Sequence, residues 1–186
     1  MTIMIETERL YLRTWQPLDI ESYWEINQDP RVIEFLLGSL TIDEVKQFII
    51  DKNQQQAKRG YTLWATELKA TGELIGFIGL NYTDWETPFT PAVEVGWRLG
   101  SAYWNHGYAT EGAKAALAFG FNTIGLNEIV SFTMPMNFRS VRVMEKIGLH
   151  RDKLGDFRHP KLASNHPLLQ HILYRLNKID FLRTEL

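Results

Sequence analysis

A strand-like segment runs into a glycine-containing turn and then a helix between Glu94 and Glu111, and this arrangement can bind an anion. The segment reads EVGWRLGSAYWNHGYATE. The first backbone N–H groups of a helix have no partner within the helix, and the helix dipole makes that end positive. A pyrophosphate group binds readily at such an end. Gly107 and the small Ala109 leave room for it.

The same turn lacks the two common nucleotide-binding patterns. No Gly-Lys-[Ser/Thr] follows it, as a Walker loop requires, and the spacing G-x-G-x-x-G of a dinucleotide site is missing. A strand, a glycine turn and a helix also occur in many proteins that bind nothing there. The turn alone therefore leaves both interpretations open.

A second segment, residues 137–149, has the two ends of a short helix. Asn137 is a favourable N-cap, and Gly148 suits the position that follows the last helical turn. Taken alone, this segment predicts a capped helix and no particular chemistry.

Together the two segments resemble the GNAT acetyltransferases, and in particular the branch that contains the RimJ and RimL type protein N-terminal acetyltransferases. The branch's Tyr-Trp-x-x-Gly-Tyr-Ala-Thr-Glu stretch is here Tyr103–Glu111. Its Asn-x-x-Ser helix start is here Asn137 and Ser140, and its Gly-hydrophobic helix end is Gly148-Leu149. The opening TERLYLR, residues 7–13, is similar to the branch's first strand, so the resemblance covers nearly the whole chain.

The resemblance implies that the chain uses acetyl-CoA, without a metal, to acetylate an amine. The strand at Trp97, Arg98 and Leu99 would pair with the pantetheine arm. Asn137 would hydrogen-bond that arm, and Ser140 would lie near the thioester sulfur. The pyrophosphate would be held by the backbone amides of the turn, from Asn105, His106, Gly107, Tyr108, Ala109 and Thr110.

Glu94 is the candidate general base. It is a lone carboxylate in the apolar stretch Ala92-Val93-Glu94-Val95, and some GNAT members have a glutamate on this strand that acts through water. Burial would raise its pKa toward the working pH, which suits a base. The alternative is a solvated or ion-paired strand residue. Because the chain has no cysteine, we expect direct attack by the amine in a ternary complex.

The sequence departs from the family pattern at two places. Many GNAT enzymes have a tyrosine general acid four residues before the helix-ending glycine, where this chain has Met144, which cannot donate a proton. Ser140 is the candidate for stabilising the thiolate instead, although the thiolate can also leave without an acid. Asn105 and His106 replace the more usual glycine and basic residue of the loop, which should weaken the electrostatic grip on phosphate.

The elements that must position these residues alternate between strand and helix patterns. Strands are predicted at residues 9–15, 61–68, 74–80, 93–99, 128–134 and 170–176. Helices are predicted at 17–28, from a capping box at Thr41–Glu44 to Gly60, at 110–123 and at 138–147. The resemblance and this order predict one GNAT-like α/β (α+β) domain over residues 1–186, with a mixed, mostly antiparallel sheet of six to seven strands and helices on both faces.

Composition narrows the classes of function. The 20 basic and 22 acidic side chains give a net charge of −2, which argues against a general nucleic-acid binder. Without cysteine there is no thiol nucleophile, disulfide or zinc-thiolate site, and the histidines lack the spacing of metal ligands. With neither a signal peptide nor an apolar run of about 20 residues, we expect a cytoplasmic protein without a membrane partner.

Several assignments stay open at this stage. The acceptor is a protein N-terminal α-amine or a small amine such as a polyamine or an antibiotic. A non-catalytic acyl-CoA-binding regulatory module is a second reading, an aminoacyl-tRNA-dependent transferase is a third, and a homodimer is plausible. Five aromatic residues could either line the acceptor site or belong to the core: Trp24, Phe35, Tyr82, Trp85 and Phe89.

Four basic residues could either contact the 3′-phosphate of the coenzyme or form a solvated helix face: Arg139, Arg142, Lys146 and Arg151.

Overall fold

The computed structural model describes residues 1–184, whose strands form one eight-stranded sheet in the order β1-β2-β3-β4-β5-β6-β8-β7. The strands β1 to β8 span Ile3–Glu6, Leu10–Arg13, Leu63–Leu68, Leu74–Thr83, Ala92–Leu99, Glu128–Thr133, His150–Arg158 and Gln170–Asn177. The helices α1 to α6 span Asp19–Ile26, Pro30–Ile33, Ile42–Arg59, Tyr108–Ala118, Phe138–Lys146 and Lys178–Thr184.

The predicted fold class is confirmed. Neighbouring strands are antiparallel throughout the sheet except at β5 and β6, which are parallel. Helices cover both faces. The strand number is eight rather than six to seven, because β1 and β7 were not predicted. Both lie at the edges of the sheet. Strand β7, with the sequence HRDKLGDFR, is mostly charged and has no regular apolar alternation, so its pairing with β8 defines it more than any hydrophobic pattern.

The helix boundaries follow the predicted capping signals closely. Helix α3 begins at the capping box, with both reciprocal bonds of Thr41 and Glu44 present, and ends at Gly60 in the left-handed conformation. Helix α4 begins at Tyr108, two residues before the predicted start, and continues beyond Ala118 as a π-helical segment, Phe119–Ile124. No helix within residues 1–184 is long and apolar enough to cross a membrane.

Each face of the sheet has its own core. On one face, α4 and α5 pack on side chains that include Trp64, Leu80 and Val95. Helix α4 lies close to the sheet, since a Cβ at Gly112 would be 2.5 Å from Ile78 Cδ1. This close contact fixes where the N-terminus of α4 lies.

On the other face, α1 and α3 cover a smaller, aromatic core. Its buried members are Trp15, Tyr23, Val45, Ile49, Leu63, Ala65 and Phe77. Side chains alternate between the two faces along a strand. Because Val93, Val95 and Leu99 of β5 belong to the α4 face, the intervening Glu94, Gly96 and Arg98 point toward the α1 and α3 face.

Candidate active site

The parallel strands β5 and β6 are joined by one register pair and then diverge. The pair is Glu94 with Val130, and beside it the Ser131 hydroxyl donates to the Val95 carbonyl oxygen at 2.9 Å. Beyond this point a cavity of about 710 Å³ opens between β5, β6, the turn before α4 and the first turns of α5. Strand β5 therefore presents backbone groups to the cavity where a sheet would normally supply a neighbour.

All of the predicted site residues line this one cavity. They are Glu94, Trp97, Arg98, Leu99, Asn105, His106, Gly107, Tyr108, Ala109, Thr110, Asn137 and Ser140. The structure thus brings together two segments that are some thirty residues apart in the sequence. The chemical role of each residue stays a prediction.

The turn before α4 leaves the helix start open. Gly107 is the N-cap residue, with φ +83°, and no side chain caps the helix. Asn105 also has a positive φ of 64°, a conformation that asparagine tolerates better than most residues. This explains why asparagine can replace a glycine there. The uncapped N–H groups face a cavity that can accept an anion.

The same turn is held from outside by a single arginine. The Arg9 guanidinium donates to the His106 carbonyl oxygen at 3.0 Å and pairs with Glu111 at 2.6 Å. Glu111 also accepts from the Thr7 hydroxyl at 2.6 Å, and the Arg9 guanidinium lies 4.6 Å from the ring centroid of Tyr108. These contacts order the turn without filling its inner side.

Asn137 caps α5, as predicted. Its Oδ1 accepts from the Ser140 backbone N–H at 3.2 Å, and its Nδ2 donates to the Thr133 hydroxyl at 3.1 Å. An amide carries two N–H donors and a carbonyl oxygen with two lone pairs, so Asn137 keeps hydrogen-bonding capacity for a ligand. The Ser140 hydroxyl makes no hydrogen bond within residues 1–184.

Glu94 is a perturbed carboxyl group on the wall of the cavity. Burial raises its pKa to about 8, while the positive charge of Lys52 and a hydrogen bond from Asn81 lower it in part. Asn81 is its register partner on β4, and Lys52 of α3 donates to Asn81 Oδ1 at 2.9 Å. The ammonium thereby turns the amide nitrogen of Asn81 toward Glu94. A carboxyl group with such a pKa can accept a proton near neutral pH.

Lys52 and Asn81 were not predicted as part of the site. Asn81 falls one residue beyond the predicted end of its strand at Leu80, whereas β4 continues to Thr83. Its proximity to Glu94 follows from the register of the β4–β5 hairpin, which the sequence did not fix. Lys52 lies on a polar stretch of α3, where nothing in the neighbouring sequence distinguishes it from a solvent-exposed lysine.

Met144, at the position of the family's tyrosine, is 1% exposed and borders the cavity. Its thioether has no proton to donate, so any proton donor at this end of the cavity must be another side chain. Within residues 1–184, the Ser140 hydroxyl on the same helix is available for this purpose.

The structure shows which of the five aromatic and four basic residues, left unassigned from the sequence, line the cavity. Of the five aromatic residues, Phe35 lines the cavity, whereas Trp24, Tyr82, Trp85 and Phe89 pack into cores. Of the four basic residues, Arg139, Arg142 and Lys146 line it. Arg151 instead pairs with Asp156 at 2.6 Å.

Arg139 crosses the mouth of the cavity. It pairs with Glu34 at 2.7 Å and its guanidinium lies 4.5 Å from the ring centroid of Trp104. By contrast, Arg142 and Lys146 have no ion-pair partner within residues 1–184, which suits contact with a phosphate. The part of the chain that the structure describes holds no cluster of three or more potential metal ligands.

Comparison with known proteins gives a consistent result. The model of the GNAT acetyltransferase domain matches residues 9–150. The "Uncharacterized N-acetyltransferase YnaD" of Bacillus subtilis (strain 168) is 30% identical over 149 residues, which span 80% of this chain and 83% of that protein. A solved GNAT acetyltransferase from Bacillus anthracis is 29% identical with a TM-score of 0.76, covering 94% of this chain and 98% of that one.

Two more distant structures share the fold. The ribosomal-protein-S5-alanine acetyltransferase of Vibrio fischeri is 20% identical, with a TM-score of 0.75 over 95% of this chain and 97% of that one. The spermidine N-acetyltransferase of Vibrio cholerae, solved with CoA and spermine, is 17% identical, with a TM-score of 0.72 over 95% and 99%. With an uncapped helix start, a split sheet and a domain model matched over residues 9–150, the chain belongs to the GNAT family and is an acetyltransferase of that type.

Proposed function

We propose that residues 1–186 act as one domain that transfers the acetyl group of acetyl-CoA to a primary amine, by direct attack in a ternary complex. The observation that carries this proposal is that the uncapped start of α4, the opening between β5 and β6, and the Glu94 carboxyl group border the same cavity. Members of the GNAT family use acetyl-CoA, and the residues present here fit it.

The coenzyme would be bound mainly by backbone groups. The amides from Asn105 to Thr110 bind the pyrophosphate, since the helix start is uncapped and Gly107 adds no side chain. The backbone at Trp97–Leu99 pairs with the amide groups of the pantetheine arm, in the place that β6 leaves when it diverges. Arg142 and Lys146 supply positive charge at the rim for the remaining phosphate.

Acetyl-CoA supplies the acetyl group as an activated thioester. Glu94 accepts the proton that the amine must lose in order to attack, directly or through one water. Asn81 and Lys52 hold the carboxyl group in place for this transfer. Ser140 donates a hydrogen bond to the sulfur as the C–S bond breaks and the thiolate leaves.

For the acceptor we favour a protein N-terminal α-amine. Its pKa is about 8, against about 10.4 for a lysine side chain, so a base such as Glu94 can more easily leave it neutral. The sequence resemblance to the RimJ/RimL branch supports the same choice. A small amine is the alternative, and the two distant structures named above act on one acceptor of each kind, so the shared fold does not choose between them.

A non-catalytic acyl-CoA-binding module is the competing function, because Met144 removes the usual proton donor. Calorimetric titration with acetyl-CoA, followed by a free-thiol assay over a panel of peptides and small amines, separates the two. We expect binding together with thiol release. Tight binding without thiol release from any amine would favour the module, and absence of binding would defeat both functions.

Mass spectrometry would then identify the natural acceptor. The acetylated proteins and small amines of cells with and without the protein should differ in the physiological product. A change confined to protein N-termini supports our choice, and a change confined to small amines supports the alternative.

A further inference from the structure

We propose that Arg98 selects acceptors that carry a negative charge at some distance from the amine that is acetylated. This inference rests on the proposed acetyl transfer and goes beyond it, because it names the charge and spacing of the acceptor. The backbone of Arg98 belongs to the coenzyme strand. Its side chain is assigned a separate role toward the acceptor.

The first support is the side of the sheet on which the guanidinium lies. Glu94 and Arg98 share one face of β5, and both line the cavity together with Gly96 between them. The Glu94 carboxylate leans over Gly96, with Oε1 3.6 Å from where a Cβ of that residue would lie. The Arg98 guanidinium lies 5.5 Å from the ring centroid of Phe77 on the α1 and α3 face. The helix whose start binds the pyrophosphate packs on the opposite face, so the coenzyme diphosphate does not account for this charge.

The second support is that the charge of Arg98 has no counter-ion. No carboxylate of residues 1–184 forms an ion pair with it, whereas Arg31 and Arg139 at the same cavity pair with Asp29 and Glu34. A half-buried, uncompensated guanidinium is stabilised by an anion that arrives with a ligand.

The third support is the geometry of its hydrogen bonds. Nη1 of Arg98 donates to Asn27 Oδ1 at 2.5 Å and to the Tyr23 hydroxyl at 3.4 Å. Nε and Nη2 make no hydrogen bond within residues 1–184, although a guanidinium has five N–H donors. Asn27 and Tyr23 therefore hold one edge of the group and leave another edge free, in the planar arrangement that binds a carboxylate with two bonds.

The spacing defines the class of acceptor. Residues four apart on a strand have Cα atoms roughly 13 Å apart, so the amine at Glu94 and the anion at Arg98 are separated by on the order of 10 Å. An extended peptide reaches this span with an acidic side chain at its second or third residue. A linear ω-amino carboxylate of similar length also fits. A polyamine would instead bring a second ammonium close to Arg98 and Lys52, which is unfavourable.

The test compares acceptors that differ in one charge. Short peptides with the same N-terminal serine would carry Glu, Gln or Lys at residue three, and linear ω-amino carboxylic acids would be compared with their amides. For the wild-type protein we expect kcat/KM to be about 10- to 100-fold higher for the Glu peptide than for the Gln peptide, as for one charged hydrogen-bonded contact. The Lys peptide should be the poorest.

Variants then assign the preference to Arg98. Arg98→Met should abolish the preference for Glu over Gln, and Arg98→Lys should keep part of it. Arg31→Met is the matched control, since Arg31 lines the same cavity but already pairs with Asp29, and it should leave the preference intact.

Two outcomes would overturn the proposal. One is equal kcat/KM for the charged and neutral members of both acceptor series in the wild-type protein. The other is an equal loss on Glu and Gln peptides in both Arg98 variants, which would indicate that Arg98 only ties α1 to β5. In either case thiol release from the neutral acceptors still stands as proof of acetyl transfer, so the failure of this inference is distinct from failure of the proposed function.

Discussion

Helices α3 and α4 begin in opposite ways. At the start of α3, the Thr41 hydroxyl accepts from the Glu44 N–H at 3.2 Å, and the Glu44 carboxylate accepts from the Thr41 N–H at 2.7 Å. At the start of α4, Gly107 provides no side chain and the first N–H groups remain open to the cavity. One helix satisfies its own orphan donors, and the other leaves them unpaired by any side chain, as our proposal of pyrophosphate binding requires.

The comparison shows that the presence or absence of a capping side chain distinguishes a helix start that is closed from one that is free to bind a ligand. Capping stabilises a helix by about 1 kcal/mol, so an uncapped start on a cavity is a local cost that a bound anion can offset. The start of α5 lies between these cases, since Asn137 caps it and still keeps hydrogen-bonding capacity toward the same cavity.

The largest expected effect on catalysis comes from substituting Glu94, which lies away from the starts of both α3 and α4. Glu94→Gln should lower kcat by about 10²–10⁴-fold, because the amide cannot accept a proton. The Kd for acetyl-CoA should stay nearly constant if the open start of α4 alone binds the pyrophosphate. Steady-state kinetics and calorimetry measure the two quantities. Glu86→Gln, at an exposed carboxylate outside the cavity, is the control, and an unchanged kcat in Glu94→Gln would remove Glu94 from the mechanism.

The pH dependence should report the same carboxyl group. With a pKa of about 8, Glu94 is protonated at lower pH, so kcat/KM should fall by up to about tenfold per pH unit below that value. Lys52→Met should move the profile to higher pH, since the charge of Lys52 lowers this pKa. A profile that is identical in wild type and Glu94→Gln would show that another group titrates.

The contribution of Glu94 to the free energy of unfolding should fall as pH rises, whereas kcat/KM should rise. The folded-state pKa of Glu94 lies above its ordinary value of 4.5, so between about pH 4.5 and 8 the folded state binds the proton and the unfolded state does not. The contribution of Glu94 to the free energy of unfolding therefore declines as pH rises through this window. Because the lowered pKa of His171, about 4, acts in the opposite direction in the lower part of this window, the difference between the two proteins isolates Glu94. Urea denaturation should show the free energy of unfolding of the wild type, measured relative to Glu94→Gln, declining from about pH 4.5 to 8.

A smaller effect is expected at the α4 start itself. Gly107→Ala strains a residue at φ +83° and places a Cβ 3.4 Å from Nη2 of Arg9, the side chain that holds the turn from outside. Because this disturbs the turn proposed to bind the pyrophosphate, we expect the Kd for acetyl-CoA to rise by about tenfold, as for loss of one hydrogen bond to a charged group. Gly125→Ala is a matched control, with φ +81° and no atom within 4 Å of the added Cβ. Both variants should lose about 1–2 kcal/mol of stability. Equal Kd values in the two variants would contradict a role of this turn in binding.

The smallest effect on function is expected at the α3 start. Thr41→Ala removes the reciprocal cap and should lower the free energy of unfolding by about 1 kcal/mol, which corresponds to a shift in Tm of about 2–4 °C for a chain of this size. Thermal unfolding measures the shift. The Kd for acetyl-CoA should not change, and a changed Kd would mean that the two helix starts are not independent.

Local features of the site were predictable because they depend on residues within about four positions of one another. The capping box at Thr41, the left-handed stop at Gly60 and the cap at Asn137 were all read from the sequence and are present in the structure. The turn around Gly107 was predicted as an open helix start for the same reason. Strand β7 escaped prediction because an edge strand with charged residues has no local hydrophobic pattern.

The sequence by itself determined the capped start of α3, its end at Gly60, the capped start of α5 and the two segments that carry the family resemblance. It did not predict the short helices α2 and α6. The tertiary structure alone decided that β5 and β6 separate after one register pair, that Lys52 and Asn81 gather around Glu94, and that the side chain of Arg98 lies on the face away from α4. The physical reason is one of range. Backbone hydrogen bonding within a turn is set by neighbouring residues, whereas strand register and the choice of face are set by packing between elements that are far apart in the chain.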